Sequence, residues 1–255
     1  MLSSLGFKVS LWSMAAMLAV VLALALTSIR TDLGKAKAVI GKRDLFSRSR
    51  EINLLSAARV FLFASRDVWF VVGVPVYLYE ALRWSFDQIG GFMALWIIGY
   101  GFVQALVPRL LNGTQDPCNA ARAATVWGFI LGAAPILIAS TLHFGAMQPL
   151  TPWVVVGGLI VFGVVFAINS ALHSYLIVAY SDHDKVALNV GFYYMANATG
   201  RLLGTLLSGL TYQWAGLQAC LWVSAAMVLM AAAIAALLPR AYDTGRLPQT
   251  REQSN

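Results

Sequence analysis

Seven apolar segments, each about 20 residues long, follow one another along this chain with little polar sequence between most of them. A helix needs about 20 such residues to cross the hydrocarbon of a bilayer. Charged residues make up only 11% of the chain, whereas soluble domains average about 25%. We therefore predict an all-α, polytopic membrane protein. The predicted spans cover residues 9–27, 54–79, 89–107, 123–142, 153–178, 190–212 and 218–238.

The first apolar segment has two interpretations. It follows Lys8 and contains the sequence A-L-A at 23–25, which fits the cleavage site of a secretory signal peptide. Seven basic residues then fall within 30–50, which favours a span whose C-terminal end stays in the cytoplasm. We interpret residues 1–29 as a single span and 30–53 as a basic cytoplasmic linker, with the signal peptide as the alternative.

The basic residues outside the spans predict the orientation of the chain. Thirteen of them fall on one side of the predicted membrane and only two, Lys8 and Arg83, on the other. Because cytoplasmic segments are enriched in Lys and Arg, we predict an external N-terminus, a six-helix bundle at 54–239 and a cytoplasmic tail at 240–255. The net charge of +7 reports this orientation and gives no indication of nucleic-acid binding.

Two arginines, Arg66 and Arg201, lie about midway along apolar spans that are both predicted to enter from the cytoplasm. A charge at that depth costs at least about 2.5–3.5 kcal/mol, so it must face protein, water or an anion. The one deep carboxylate, Asp67, leaves an excess of positive charge. A guanidinium donates two parallel hydrogen bonds to an oxyanion. We therefore predict that Arg66 and Arg201 bind an anionic substrate, with structural ion pairs as the alternative.

Further polar residues lie near these two arginines or in the fourth span of the bundle. We predict that Asn197, one helical turn before Arg201, binds substrate together with Tyr194 and Asn169. The proton-coupling residues are predicted to be Asp67 and His173, since imidazole titrates near neutral pH. Tyr193, beside Tyr194, is a further residue of interest.

Geometry along the first span of the bundle suggests two more expectations. Adjacent residues on a helix point about 100° apart, so Arg66 and Asp67 are predicted not to pair with each other. Arg59 lies seven residues before Arg66 and nearer the cytoplasm. We predict that its side chain extends to the cytoplasmic surface.

The sequence contains no motif of an intramembrane enzyme, neither H-E-x-x-H nor G-x-S-x-G, and no paired aspartates within the spans. Its two cysteines, Cys118 and Cys220, are predicted to stay apart, and no Cys/His spacing is typical of a metal site. We predict a protein without catalytic residues, metal or cofactor.

The layout of one span, a long basic linker and six closely connected spans is similar to a 12-helix major facilitator transporter cut before its sixth helix. Particular sequences carry a closer resemblance, to the C-terminal part of the ArsJ family of organoarsenical permeases, over about residues 44–239. These sequences are S-R-D-V-W-F-V-V-G-V-P at 65–75, W-S-F at 84–86, G-G-F at 90–92, A-L-W at 94–96, G-Y-G at 99–101, G-F-Y-Y-M-A-N-A at 191–198 and G-R-L-L-G-T at 200–205.

The resemblance implies export of 1-arseno-3-phosphoglycerate. This adduct forms when a glyceraldehyde-3-phosphate dehydrogenase uses arsenate in place of phosphate, so a functional link to such an enzyme is expected. Asp67 and His173 make the proton the predicted coupling ion, and we predict an antiporter of the bacterial inner membrane. The resemblance also implies that five helices are missing and that the partners include an absent N-terminal half, the bilayer and a small anion. The alternatives are transport of another organic anion, such as a sugar phosphate or carboxylate, and a non-transporting membrane fragment with structural arginines.

Overall fold

A computed structural model describes residues 2–28, 49–110, 116–145, 150–181 and 186–239. Within these residues the chain forms helices and no strand, which confirms the predicted all-α fold. The helices are α1 (Leu2–Ser28), α2 (Arg50–Phe70), α3 (Gly73–Glu80), α4 (Phe86–Leu110), α5 (Pro117–Gly145), α6 (Thr151–Ala179) and α7 (Val186–Ala235).

Five stretches of helix in the described part of the chain are long and apolar enough to cross a membrane: α2 with α3, and each of α4 to α7. The 50-residue α7 contains a sharp break at Ala215 and Gly216, where Gly216 has φ +61°, a conformation that glycine adopts at little cost. The two arms on either side of this break, 186–214 and 217–235, correspond to the predicted spans 190–212 and 218–238. The bundle is therefore a polytopic helical membrane domain.

None of the α1 side chains that the structure describes belongs to the buried core of the bundle. The apolar stretch of α1, Leu11–Thr27, is shorter than the five candidate spans, and nearly all of its described side chains are exposed. Most of the predicted linker at 30–53 and the whole predicted tail at 240–255 lie outside the described residues.

The predicted span 54–79 is one helix by pattern, but the structure breaks it at Val71 and Val72. The Val72 N–H donates to Ser208 Oγ on α7 at 3.1 Å, instead of to a carbonyl one turn earlier. Pro75 follows closely; its ring has no N–H and clashes with the carbonyl four residues before it. The predicted span 54–79 therefore consists of two helices, α2 and α3, which together form one candidate membrane span.

The first arm of α7 packs directly on α2 through a small-residue stripe formed by Ala196, Gly200, Gly204 and Ser208. A Cβ on Gly200 would lie 2.3 Å from the carbonyl oxygen of Val60, and one on Gly204 would lie 2.6 Å from that of Ala64. Gly204 follows Gly200 by four residues, and its neighbour Ala64 follows Val60 by four residues. The two helices, α2 and this arm of α7, therefore run parallel. Small residues allow such close approach of helices in lipid, so the stripe is the surface by which α7 packs on α2.

Helix α6 runs antiparallel to α2 along another side of it. Phe63 packs edge-on against Phe166 at a centroid distance of 5.3 Å, and Trp69 packs against Phe162 at 5.1 Å. Edge-to-face geometry is favourable for aromatic rings. These contacts hold α2 between α6 and α7, and they fix the rotation of α2 that determines where its polar residues point.

Candidate anion-binding site

Arg66, Asp67 and Arg201 form one cluster where α2 meets α7, and we call it the arginine–aspartate cluster. Arg66 approaches Asp67 Oδ1 with two nitrogens, Nε at 2.7 Å and Nη2 at 2.6 Å. Arg201 Nε donates to the other carboxylate oxygen, Oδ2, at 3.2 Å. Each oxygen of the single carboxylate therefore binds one guanidinium. Arg66 lies on the same helix as Asp67, whereas Arg201 lies on α7, 134 residues after Asp67.

The pairing of Arg66 with Asp67 contradicts the sequence prediction that these neighbours do not pair. The 100° angle between adjacent positions describes the direction of the Cα–Cβ bonds, whereas the long arginine side chain can fold back around its helix. Its guanidinium also lies 5.1 Å from the Phe63 ring and 5.5 Å from the Phe166 ring. These rings from α2 and α6 cover the guanidinium, and cation–π attraction favours that placement.

Burial divides the cluster into a covered half and an open half. The side chain of Asp67 is 3% exposed and that of Arg66 is 12% exposed, but that of Arg201 is 61% exposed. Among the described residues, the Arg201 guanidinium makes one hydrogen bond, from Nε to Asp67. With Asp67 ionised the cluster carries one net positive charge, and the terminal nitrogens of Arg201 are open to a ligand.

Arg59 does not extend to the cytoplasmic surface, and the sequence prediction for it is wrong. The residue is only 4% exposed, and its Nη1 donates to Ser170 Oγ at 3.0 Å and to the Ser170 carbonyl at 3.3 Å. Its guanidinium lies 4.0 Å from the Phe63 ring and 4.7 Å from the Tyr193 ring. The rotation of α2 points Arg59 into the bundle, where aromatic rings and a hydroxyl take the place of water.

Two predicted site residues on α6 lie in the interior of the bundle. Asn169 is 2% exposed, and its amide donates to the Ala124 carbonyl on α5 at 2.7 Å, so it links α5 to α6. His173 is 1% exposed, and its Nδ1 has no hydrogen-bond partner among the described residues. Neither residue contacts the arginine–aspartate cluster through a described hydrogen bond or ion pair.

The predicted site residues on α7 are placed differently from one another. Tyr194 is 61% exposed and Tyr193 is 1% exposed, so only Tyr194 shares the open side with Arg201. Asn197 lies one turn before Arg201, and its buried Oδ1 accepts no hydrogen bond from a described residue. Tyr194 and Asn197 therefore remain candidates for contact with a ligand at Arg201.

The sequence model of the Major Facilitator Superfamily matches residues 55–254, which is more than half of the chain and includes every member of the cluster. The chain belongs to the major facilitator superfamily. A search of curated proteins finds no match. Because members of this superfamily are membrane transporters, a multi-pass transporter domain is the functional class of this chain.

Within a major facilitator domain, substrates bind near the middle of the membrane. The arginine–aspartate cluster meets that expectation, since it lies about midway along the candidate span formed by α2 and α3 and about midway along the first arm of α7. Arg59, Phe63 and Arg66 form one row of side chains, with the Phe63 ring in contact with both guanidiniums. This row was not predicted from the sequence. Phe63 lies four residues after Arg59 and three before Arg66, a helical spacing that puts all three on one side of α2 and could have revealed the row.

Arg59 has no carboxylate partner within ion-pair distance among the described residues. Replacing a buried charge with an apolar side chain of similar volume is often neutral or stabilising. We therefore expect Arg59→Met to melt at the native temperature or higher, whereas Arg59→Ala should melt lower because it leaves a cavity. Thermal unfolding of the full chain in detergent measures both variants. A clear decrease for Arg59→Met would instead mean that the bonds to Ser170 and the two rings outweigh the cost of burying the charge.

Proposed function

We propose that this major facilitator protein is a secondary active transporter that exports an anionic organoarsenical, 1-arseno-3-phosphoglycerate. The observation that carries the proposal is the open guanidinium of Arg201 in a cluster with net positive charge. Holding a charge inside a membrane domain is expensive, and Arg201 is neutralised only in part. An anionic ligand supplies the missing counter-charge.

The chemistry of the cluster suits a tetrahedral oxyanion. The planar fork of a guanidinium donates two parallel hydrogen bonds to two oxygens of phosphate or arsenate. These two groups have nearly the same geometry and charge, so the cluster alone does not select arsenic. Support for arsenic comes from the resemblance of sequences such as 65–75 and 191–198 to organoarsenical permeases.

Proton coupling is the second part of the proposal, and Asp67 is its central residue. A proton on this carboxylate changes the charge that Arg66 and Arg201 present to a ligand. His173 is the second candidate carrier. Both residues stay proposed carriers, and of the two Asp67 is the one that contacts Arg66 and Arg201 directly.

Two alternatives each have a specific observation in their favour. The net positive charge of the cluster would serve another organic anion equally well, for example a sugar phosphate or a carboxylate. The pairing of Arg66 with Asp67 at 2.6 Å favours a structural role for that arginine. The openness of Arg201 distinguishes it from Arg66, because its exposed side chain leaves room for an anion beside the guanidinium.

The proposed location is the bacterial inner membrane, with the N-terminus of this chain outside and the C-terminus in the cytoplasm. Support comes from the thirteen basic residues on one predicted side against two on the other. The proposed partner for the open side of Arg201 is a second six-helix half, because substrates of this superfamily lie between structural repeats.

Everted membrane vesicles that contain the full-length protein test the transport proposal. Glyceraldehyde-3-phosphate, its dehydrogenase, the oxidised nicotinamide cofactor and arsenate generate the adduct outside the vesicles. We expect arsenic to accumulate inside the vesicles only when the dehydrogenase is present. Labelled 3-phosphoglycerate, offered to the same vesicles, is the competing substrate.

The outcomes separate the three hypotheses. Equal or faster accumulation of 3-phosphoglycerate would overturn the arsenic-specific proposal and leave an organic-anion transporter. Absence of accumulation for every anion, at unchanged expression, would support the structural role of the arginines. Vesicles without the protein correct for leakage of the unstable adduct.

A further inference from the structure

The guanidinium of Arg59 is buried inside the bundle without a counter-charge. Only 4% of the residue is exposed, and no carboxylate among the described residues lies within ion-pair distance of it. The rings of Phe63 and Tyr193 attract the positive charge, but they do not neutralise it. A buried charge without a partner is costly, and a bound anion would remove that cost.

One edge of this guanidinium is not used by the described residues. Both hydrogen bonds that Arg59 donates to them come from Nη1 and go to Ser170. The buried Nε has no acceptor in the described part of the chain. Nε and Nη2 form the edge of a guanidinium that donates two parallel hydrogen bonds to an oxyanion. Ser170 therefore holds Arg59 in place and leaves its anion-binding edge unoccupied.

Arg59 also lies close to the arginine–aspartate cluster. The centre of the Phe63 ring is 4.0 Å from the Arg59 Cζ atom and 5.1 Å from the Arg66 Cζ atom. The two Cζ atoms are therefore no more than about 9 Å apart, the sum of these distances. Arg201 binds the same carboxylate as Arg66. Arg59 and the cluster are thus two positively charged places within reach of a single small molecule.

Helix α7 connects the same two places along its own surface. Tyr193, Asn197 and Arg201 follow one another at intervals of four residues, so each lies next to the following one on α7. Tyr193 contacts Arg59, and Arg201 contacts Asp67. Asn197 lies between them, and its buried Oδ1 accepts no hydrogen bond from a described residue. A hydroxyl group in the middle of a ligand would donate to this oxygen.

We propose that Arg59 is a second anion anchor, and that the substrate is a short molecule with a negatively charged group at each end. One end binds Arg201, the other binds the Nε–Nη2 edge of Arg59, and the chain between them passes Asn197. This inference rests on the proposed function, since Arg201 binds the first end. The organoarsenical proposed above has this form, with an arsenate group at one end and a phosphate at the other.

The different burial of the two arginines gives them different roles in recognition. The side chain of Arg201 is mostly exposed, so it meets the anion first, whereas Arg59 is enclosed. Attraction between opposite charges is stronger where water is excluded. A ligand whose second end is neutral would leave the Arg59 charge unpaired. Arg59 therefore selects molecules with two anionic ends over inorganic phosphate and over anions with a single charged group.

Alkane α,ω-bisphosphonates, from methylenebisphosphonate to heptane-1,7-bisphosphonate, test this proposal on the full chain in detergent at constant pH and ionic strength. All of them carry the same two anionic groups, and only the distance between the groups differs. Two linked groups bind most tightly when the linker matches the separation of their sites. We expect the affinity to be greatest at an intermediate chain length. The best bisphosphonate should bind at least about tenfold more tightly than sulfate, which has one tetrahedral centre.

The Arg59→Met variant removes the second anchor and keeps a side chain of similar volume. It should bind sulfate with native affinity, bind the best bisphosphonate at least about tenfold more weakly than the native protein does, and show no optimum of chain length. Arg59→Lys keeps the charge but loses the planar fork. It should also bind the best bisphosphonate more weakly at unchanged sulfate affinity, and it replaces Arg59→Met if that variant does not fold.

The outcomes distinguish this inference from the proposed function. A native affinity without an optimum, or an optimum that persists in Arg59→Met, overturns the second anchor and leaves the anion site at Arg201. Loss of sulfate binding in Arg59→Met also overturns it, because Arg59 would then act on the cluster through Phe63. Sulfate binding that Arg201→Gln does not weaken, or no binding of any of these anions, overturns both.

Discussion

The Arg201→Gln variant is expected to bind and transport anions at least about 100-fold more weakly than the native protein, with little loss of stability. Each hydrogen bond to a charged group contributes about 1.5–3 kcal/mol, and a bidentate contact has two of them. Arg201→Lys keeps the charge but loses the planar fork, so we expect a smaller decrease of about tenfold. Sulfate affinity and vesicle uptake at matched expression measure these effects. Stability should change little because the side chain is mostly exposed.

A matched control is Arg122→Gln, which removes an exposed arginine from α5, a helix that contributes nothing to the cluster. This variant should bind sulfate and melt like the native protein. If Arg201→Lys transports at the native rate, the charge alone is sufficient and bidentate recognition is wrong. If Arg201→Gln lowers the melting temperature as much as it lowers transport, Arg201 holds helices together and does not bind an anion.

The Gly200→Ala variant is expected to lose at least about 2 kcal/mol of stability and to lose anion binding with it. The added methyl group would lie 2.3 Å from the carbonyl oxygen of Val60 and 2.9 Å from its Cα. These are backbone atoms, so α2 and α7 must move apart. Extra methyl groups in a well-packed interior cost about 1–3 kcal/mol, occasionally more. The separation also lengthens the contact between Arg201 and Asp67, which lie on the same two helices.

Gly209→Ala on the same arm of α7 is the matched control, because an added Cβ there has no neighbour within 4 Å. Alanine is the better helix former by about 1 kcal/mol, so this variant should melt at the native temperature or slightly above it. Thermal unfolding and sulfate binding of both variants in detergent complete the test. Equal melting temperatures for the two variants would mean that the close approach of α2 and α7 is not a structural requirement.

The sequence predicted the helices of the bundle with good accuracy, for a reason that is specific to membranes. Backbone polar groups in hydrocarbon must be satisfied within the segment, so an apolar stretch of sufficient length has essentially one structure available. An interruption within a span is a local feature that the apolar pattern does not encode. At Val72 the helix stops because the Ser208 hydroxyl, 136 residues away, accepts the hydrogen bond of its N–H.

The depth of charged residues could also be predicted from the sequence, since depth follows from counting residues along a span. Arg66 and Arg201 were predicted at similar depth on helices that enter from the same side, and they meet at one carboxylate. The rotation of each helix could not be predicted in this way. Arg59 was assigned to the surface, yet aromatic contacts such as Phe63 with Phe166 turn α2 so that Arg59 points inward.

The sequence by itself therefore determined that this chain is a helical membrane protein, and it determined how deep its arginines lie. Both properties depend on the free energy of transferring a segment from water to hydrocarbon, and each segment contributes to it independently of the others. Only the tertiary structure decided that Asp67 is shared between Arg66 and Arg201, and that Arg201 remains open. That result depends on the parallel register of α2 and α7, which is set where Gly200 meets Val60.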